Sequence, residues 1–276
     1  MAVRFPHVNS LHRLSLWTGL LLLGWVLRAG DRAPLSAGEV ISRLIARGRE
    51  VAELQPTRGL AYTRRTVIEE LDDRSEVRDR KTREHSVTNL AGVTRAVLLK
   101  LDDREPSARE ARADEKREND NQRDTSRRRG RKSGPDFLDE ALVRRFEYVL
   151  DGEEVVAGRR TLVLRFEPPD GVKEGGEVAD RLLARLHGRL WVDLEEFELV
   201  KVESHLKSPF SVLGGLAASL TRIDLLIVRE RLSPGVWANH QLSTYAEGRK
   251  LFSNLRMRMR IEQDEFRELP VTSPAP

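Results

Sequence analysis

Six histidines are the side chains of this 276-residue sequence best suited to acid–base or metal chemistry. None of them is paired with another at the spacing of metal ligands. Two lie near the N-terminus, and three lie on separate predicted strands, where only the register of a sheet could bring them together. The pattern therefore predicts no histidine-based catalytic or metal site. The six are His7, His12, His85, His187, His205 and His240.

Carboxylates, glycines, serines and cysteines offer no catalytic pattern either. Glu195 and Glu196 stand in a predicted hairpin turn, where carboxylates are usually solvated. Gly214 and Gly215 lack the strand–loop–helix context and the lysine of a phosphate-binding loop. No serine lies in a Gly-x-Ser-x-Gly turn, and the absence of cysteine excludes thiolate metal ligands and a cysteine nucleophile. We expect a protein that is not an enzyme and uses no cofactor or metal.

The composition indicates a globular protein with a core built from aliphatic residues. Hydrophobic residues make up 39% of the chain, aromatic residues 5% and charged residues 33%. These values exclude a multi-span membrane protein and a wholly disordered chain. The net charge is +4, and basic and acidic residues are interspersed, which favours a solvated surface. We therefore expect no nucleic-acid partner.

The N-terminus has the pattern of an export signal. Basic residues from Arg4 to Arg13 precede an apolar run over 14–27, and Arg28 ends it. This run is shorter than the roughly 20 residues that span a bilayer, and it fits the apolar region of a secretory signal peptide. Cleavage after Ala29 and retention as a membrane anchor both remain open. Either alternative predicts that the rest of the chain is periplasmic.

A single amphipathic helix follows the signal. Ser36 and Glu39 are spaced as a capping box, in which each side chain bonds a free backbone N–H of the other residue. Apolar residues then recur at helical spacing as far as Leu54, and Pro56 ends the pattern.

About ten strands joined by hairpins are predicted after Pro56, because the apolar period changes from helical spacing to two. Asp151-Gly152 and Gly158 are predicted turns, and Leu182-Leu183 a short helical piece. The predicted strands are 60–71, 77–87, 93–101, 143–150, 161–167, 188–193, 199–207, 221–232, 236–246 and 251–261.

Residues 104–132 form a charged insertion whose only apolar residues are alanines. It cannot bury a core. The pattern predicts a solvated helix over 108–118, followed by an arginine-rich run at 127–132. Two interpretations remain open for that run: contact with anionic lipid headgroups at a membrane surface, or a solvated insertion without a partner.

The predicted fold class is α+β and mostly antiparallel β. Strand twist curls a large sheet, and its apolar face must be covered by another element. We expect a curved half-barrel of about ten strands around the N-terminal helix, in one domain over 30–268, with a disordered tail at 269–276. A partly filled barrel of this kind can enclose an apolar cavity.

Three stretches resemble the LolA/LolB-like outer membrane lipoprotein-sorting proteins. They are Tyr62–Glu70, Gly188–Asp193 with Leu199–Glu203, and Gly235–Trp237. The charged insertion fits that group as well, and the resemblance covers most of 36–268. After Trp237 the group usually continues Leu-Pro, whereas this chain has Ala238-Asn239. The motifs are strand signatures, so they support the fold better than the function.

The resemblance implies a non-enzymatic periplasmic carrier that holds the acyl chains of a lipoprotein or a lipid between sheet and helix. The same inward-facing residues could instead pack as an ordinary core, and this alternative stays open. A second function, an envelope sensor or scaffold that binds a protein partner, also stays open. The candidate cavity residues are Leu162, Leu164, Phe166, Leu190, Val192, Val200, Val202, Leu206, Ile223, Leu225, Leu255, Met257 and Met259. The candidate residues of a cavity mouth are Phe210, Leu213 and Leu216.

Overall fold

A computed structural model describes residues 35–54, 58–128, 140–169, 178–212, 218–250 and 253–270. Every helix and strand given below belongs to the compact unit Ser36–Pro276. The predicted signal at 1–29 lies outside the described residues. Among the helices that the structure describes, none is long and apolar enough to cross a membrane.

The sheet is antiparallel, has eleven strands and is not closed, which confirms the predicted fold class. Strand order is β3-β2-β1-β11-β10-β9-β7-β6-β5-β4, and β8 pairs with β9 alone. The helices are α1 (Ala37–Leu54), α2 (Ala108–Arg128), α3 (Glu140–Val143) and α4 (Val178–Leu183). The strands are β1 (Gly59–Leu71), β2 (Val77–Leu90), β3 (Val93–Leu101), β4 (Glu147–Val156), β5 (Arg159–Glu167), β6 (Leu186–Asp193), β7 (Leu199–Leu206), β8 (Phe210–Val212), β9 (Ala218–Ser233), β10 (Val236–Lys250) and β11 (Ser253–Leu269).

Helix α1 begins at the predicted capping box. The Ser36 backbone N–H donates to Glu39 Oε2 at 2.9 Å, and the Glu39 N–H donates to Ser36 Oγ at 3.3 Å. The apolar face of the helix is buried, with Val40 and Leu44 fully inaccessible. This face is what an amphipathic helix contributes to a core.

Two features around β4 differ from the sequence prediction. Val143 ends the short helix α3 and is not in the strand, which begins at Glu147. Asp151-Gly152 is no turn: the register shifts between Leu150 and Gly152, and Gly152 has a φ of +120°. A glycine at positive φ lets the strand continue through a bulge. The turn that ends β4 lies at Ala157-Gly158.

The other differences are of length and number. The eleventh strand is β8, which begins at Phe210 of the predicted cavity mouth. Strand β11 runs on to Leu269, into the predicted tail, and residues 271–276 lie outside the described residues. Helix α2 extends to Arg128, ten residues beyond the predicted end. Of the arginine-rich run, 129–132 lie outside the described residues, so its membrane contact stays a prediction.

Helices α1, α2 and α3 lie on one face of the sheet, called the inner face below. Directly opposed residues of neighbouring strands share a face. When this pairing is followed from β2 through β1, β11, β10, β9, β7 and β6 to β5, it places His85, Arg64 and Leu164 on the inner face. His85 and Arg64 bond α2, whereas Tyr148, opposite Phe166, bonds the Val143 carbonyl of α3 at 2.8 Å. Helix α3 in turn is tied to α1 through Glu140 and Arg49. The helices therefore flank the surface where the carrier interpretation places its ligand.

Candidate functional site

One line of directly opposed residues crosses the inner face from β4 to β2. Its first seven members are apolar and are called the apolar row below; Thr66 and Arg83 continue the line. At roughly 4.8 Å between strands, the apolar row extends about 29 Å along the sheet. The apolar row is Leu150, Leu164, Leu190, Val202, Ile227, Leu242 and Ile261.

Burial divides the candidate cavity residues into two groups. Those on β5 and β6, together with Val200, are at most 7% exposed. The others, on β7, β9 and β11, are half-buried, so part of each side chain is open to solvent. The buried group is Leu162, Leu164, Phe166, Leu190, Val192 and Val200. The half-buried group is Val202, Leu206, Ile223, Leu225, Leu255, Met257 and Met259.

The buried group packs as core in this structure. Close packing leaves no room for a ligand beside side chains that are fully enclosed. The half-buried group keeps apolar area that a ligand could cover. Met259 lies opposite Thr244 and Ile68 and is next to the apolar row. The open part of the inner face is therefore centred on β9, β10, β11 and β1.

Val200 lies on the other face of the sheet from Val202. The register shifts between Trp191 and Val192, so that Leu199 lies opposite Val192. One extra residue in β7 at this point reverses the alternation that the sequence prediction assumed. Val200 packs with Val163 and Trp191 in a small outer cluster.

Phe210 is the described member of the predicted cavity mouth. It is 3% exposed, on β8, opposite Leu220. The guanidinium carbons of Arg181 and Arg185 lie 5.5 Å and 5.7 Å from its ring centroid. The ring is therefore packed beneath two cations. Leu213 and Leu216 lie outside the described residues, so the mouth stays a prediction.

A cleft of about 710 Å³ lies between α2 and the strands β11, β1 and β2, and the start of β3 also lines it. It meets the apolar row at Ile261, so the two surfaces are continuous. Its lining is more polar than apolar. The lining residues are Tyr62, Arg64, Thr66, Ile68, Arg83, His85, Asn89, Gly92, Val93, Thr94, Arg117, Glu118, Asn121, Gln122, Ile261 and Gln263.

His85 holds α2 against the sheet at this cleft. Its ring is 1% exposed, and Nε2 lies 2.8 Å from Oδ2 of Asp114, a carboxylate that Arg117 also bonds. Burial lowers the pKa of His85 below its ordinary value, and the charge of Arg64 lowers it further, while the hydrogen bond to Asp114 opposes both. The ring is therefore neutral at pH 7.

His85, Asp114 and Glu118 could together offer three metal ligands, since their ligand atoms lie within 4.8 Å of one another. Arginines already pair with both carboxylates: Arg64 Nη2 lies 2.8 Å from Glu118 Oε2, and Arg117 bonds Asp114. A divalent cation would have to compete with these guanidinium groups. The donor set fits the anchoring of α2 better than it fits a metal centre.

The sequence analysis missed this cluster. Asp114 and Glu118 are four residues apart on one helix, a spacing that puts both carboxylates on one face. That spacing could have indicated a polar contact. The partner, His85, lies 29 residues before Asp114, and no local pattern connects the two.

The hairpin turn between β6 and β7 is a second polar cluster, at the α1 side of the sheet. Glu198 is buried and accepts hydrogen bonds from Arg47 of α1 at 3.0 Å and from Arg229 at 2.8 Å. Glu196 accepts from Trp237 Nε1 at 2.6 Å and from Arg231. Burial would raise the pKa of Glu196, but the bonds from Arg231 and Trp237 outweigh it and lower the pKa. Glu196 is thus a bonded structural carboxylate, not the solvated one expected of a turn.

No family model and no curated protein match the chain. Solved structures do. A domain named for outer membrane lipoprotein sorting, from Vibrio parahaemolyticus, is 14% identical, with 82% of this chain and 91% of that chain covered and a TM-score of 0.30. A LolA superfamily protein from Nitrosomonas europaea is 11% identical, with 87% and 96% covered and a TM-score of 0.30.

A third match is the MucA/MucB complex of Pseudomonas aeruginosa. It is 13% identical, with 86% of this chain and 99% of that chain covered and a TM-score of 0.26. The first two structures carry names of the group that the sequence motifs resemble.

Proposed function

We propose that this protein is a non-enzymatic periplasmic carrier or binder of the acyl chains of lipoproteins or lipids. The half-buried apolar surface of the inner face is the observation that supports it. Apolar side chains on the inner face of β9 and β11 would normally be buried by other core residues. Here Leu225, Met257 and Met259 keep part of their apolar area open. An acyl chain lying across these strands would cover it.

The energetics suit a ligand of variable chemistry. Each methylene removed from water contributes about 0.8 kcal/mol, so one acyl chain gains affinity without specific polar contacts. Met257 and Met259 lie side by side on the inner face of β11, and methionine adapts its shape to different apolar partners. A surface of this kind distinguishes an acyl chain from a polar metabolite, but not one acyl chain from another.

The buried carboxylates of the described residues support a structural rather than a catalytic role. Asp193 is bonded by Arg159 at 2.6 Å and 2.9 Å, and Glu198 by Arg47 and Arg229. Burial would raise the pKa of Asp193, but the bonds from Arg159 outweigh it and lower the pKa. Carboxylates held in this way are ion-pair partners and are not free to act as general bases.

Native mass spectrometry of the protein purified from a bacterial periplasm tests the proposal. The expected result is a bound mass of a phospholipid, fatty acid or acylated peptide that organic extraction removes. The extracted protein should then take up a fluorescent fatty acid. A clean unliganded mass together with no uptake would overturn the proposal.

A matched pair of variants locates the binding surface. Met259→Trp fills the open part of the inner face without adding charge, and we expect it to weaken fatty-acid binding by about fivefold or more. Val97→Trp is the control, because Val97 is 62% exposed on the edge strand β3. Equal binding by the two variants, with equal thermal unfolding temperatures, would place the ligand elsewhere.

The edge strand β3 favours the second candidate function, a scaffold that binds a protein partner. Val93 and Val97 are each 62% exposed, and Leu99 is exposed on the same side. An exposed edge with alternating apolar side chains is what strand addition by a partner uses. A photo-crosslinking residue at Val97 should then capture one envelope protein that the same residue at Val155, exposed on the opposite edge, does not. Equal crosslinking at Val97 and Val155 would overturn this second function.

A further inference from the structure

Three buried polar atoms around the α2 cleft have no hydrogen-bond partner within the described part of the chain. They are Arg64 Nε, His85 Nδ1 and Asn89 Oδ1, and all three residues line the cleft. Buried polar groups are satisfied in the great majority of cases, by protein, water or a ligand. Three such atoms around one cleft indicate a polar occupant.

The bonds already made define what the unpartnered atoms can offer. The neutral ring of His85 donates Nε2–H to Asp114, so Nδ1 is left as an acceptor. Arg64 donates through Nη2 to Glu118, so its Nε–H remains as a donor. Arg64 and His85 are directly opposed across β1 and β2. A ligand with an acceptor for Arg64 and a donor for His85, such as an oxyanion beside a hydroxyl, would satisfy the two.

The charge around the cleft favours an anion. Three guanidinium groups, those of Arg64, Arg83 and Arg117, face the carboxylates of Asp114 and Glu118. Three positive and two negative charges leave one positive charge uncompensated. A singly charged oxyanion would balance it, and a guanidinium N–H is a strong donor to such a group.

The position of these atoms matches the shape of an amphiphile. Gln263, Arg64 and His85 form a polar line across β11, β1 and β2. It lies two residues along the strands from Ile261 and Thr66, where the apolar row ends, which is about 7 Å. A ligand whose head lay at Arg64 and His85 would place its chain on the half-buried surface described above.

We infer that the α2 cleft is a headgroup subsite for a hydroxyl-bearing phosphate of the glycerol phosphate class, with Arg64 Nε–H donating to the phosphate and His85 Nδ1 accepting from a hydroxyl. This inference rests on the proposed function, because the same ligand's acyl chain occupies the apolar surface. Asn89 Oδ1, farther along β2, is an acceptor that a second hydroxyl of a longer head could reach.

Binding of lipids with identical acyl chains tests the inference. Phosphatidylglycerol carries the phosphate and hydroxyls, whereas phosphatidylmethanol has the same charge without a hydroxyl. We expect the wild type to prefer phosphatidylglycerol by roughly three- to tenfold, the effect of one hydrogen bond. Arg64→Lys keeps a positive charge beside Glu118 but removes the Nε–H, and it should weaken phosphatidylglycerol several-fold. Arg65→Lys is the control, because Arg65 is exposed, lies on the other face and pairs with Asp103.

Fatty acid and free glycerol phosphate complete the experiment. Arg64→Lys should weaken both phospholipids to a similar extent, because both carry the phosphate that Arg64 contacts, and it should affect fatty-acid binding less; this result supports the inference. Equal affinity of the wild type for the two phospholipids overturns it while the proposed function stands. Binding of free glycerol phosphate as tight as that of the lipid also overturns it, since the site would then serve a soluble ligand. Failure of every acylated probe would defeat the proposed function itself.

Discussion

The two long helices on the inner face are held to the sheet by opposite means. Helix α1 buries an apolar face that includes Val40 and Leu44. Helix α2 is polar apart from three alanines, and among its described residues Asp114, the partner of His85, is the buried one. The α1 side is therefore built for stability. The α2 side contributes little apolar burial. Its cleft instead contains buried polar atoms that have no hydrogen-bond partner within the described residues.

The largest effect on stability is expected from a substitution on the α1 side. Leu44→Ala removes a fully buried side chain and leaves a cavity, so it should lower the free energy of unfolding by about 3 kcal/mol. Urea unfolding monitored by tryptophan fluorescence measures it. A loss below about 1 kcal/mol would show that α1 is loosely packed and that the core is not beneath it.

The second test concerns the polar contact that ties α1 to the sheet. Glu198→Gln removes the charge that Arg47 and Arg229 share, and leaves the buried Arg229 without its counter-charge. We expect a loss of about 2–3 kcal/mol in the free energy of unfolding. Glu50→Gln, which touches the same Arg47 from an exposed position, should cost less than about 0.5 kcal/mol. Similar costs for the two variants would mean that burial does not set the strength of this contact.

The third test breaks the α2 side alone. Asp114→Asn weakens the bonds to His85 and Arg117, and it should cost about 1–2 kcal/mol because few apolar contacts are lost with them. Amide hydrogen exchange should speed up in α2 while α1 keeps its protection. Fatty-acid binding should persist, since the apolar row is untouched. Faster exchange in both helices would show that they are one cooperative unit, contrary to the comparison above.

The elements that could be predicted from the sequence are those that depend on residues close together in the chain. The Ser36–Glu39 cap, the helical face of α1 and the alternation in β5 and β11 each depend on neighbours within a few residues. These predictions agree with the structure. The inner-face position of Met257 and Met259 follows from the same alternation, although which inner-face residues stay half-open could not be read from it.

What sequence reasoning missed depends on the register between strands. Gly152 forms a bulge where a turn was predicted, and the shift in β7 turns Val200 to the outer face. Each bulge is one extra residue whose place is decided by pairing with a distant strand. The cleft was missed for the same reason, because Arg64, His85 and Asp114 meet only through the sheet and the packing of α2.

The smallest effect is a dependence of stability on pH that belongs to the α2 side. The pKa of His85 is lowered in the folded protein, so below about pH 6.5 the unfolded chain binds a proton that the folded ring resists. Stability therefore falls as the pH drops below 6.5, and the fall from this group ends once the pH is below the folded pKa. The charged groups around the ring are Arg64 of β1, Arg83 of β2, and Asp114, Arg117 and Glu118 of α2.

His85→Gln is the variant that isolates this effect, because its amide N–H can still donate to Asp114 but does not titrate. Thermal unfolding of both proteins between pH 5 and pH 8 measures it. The difference between wild type and variant should be constant above pH 7 and should change in favour of the variant as the pH falls below 6.5. His205→Gln serves as the control, since His205 is exposed and its bond to Asp224 lies away from the cleft. A wild-type curve parallel to that of His85→Gln throughout this range would mean that the buried ring is not the titrating group. The pH dependence of stability would then not belong to the α2 side.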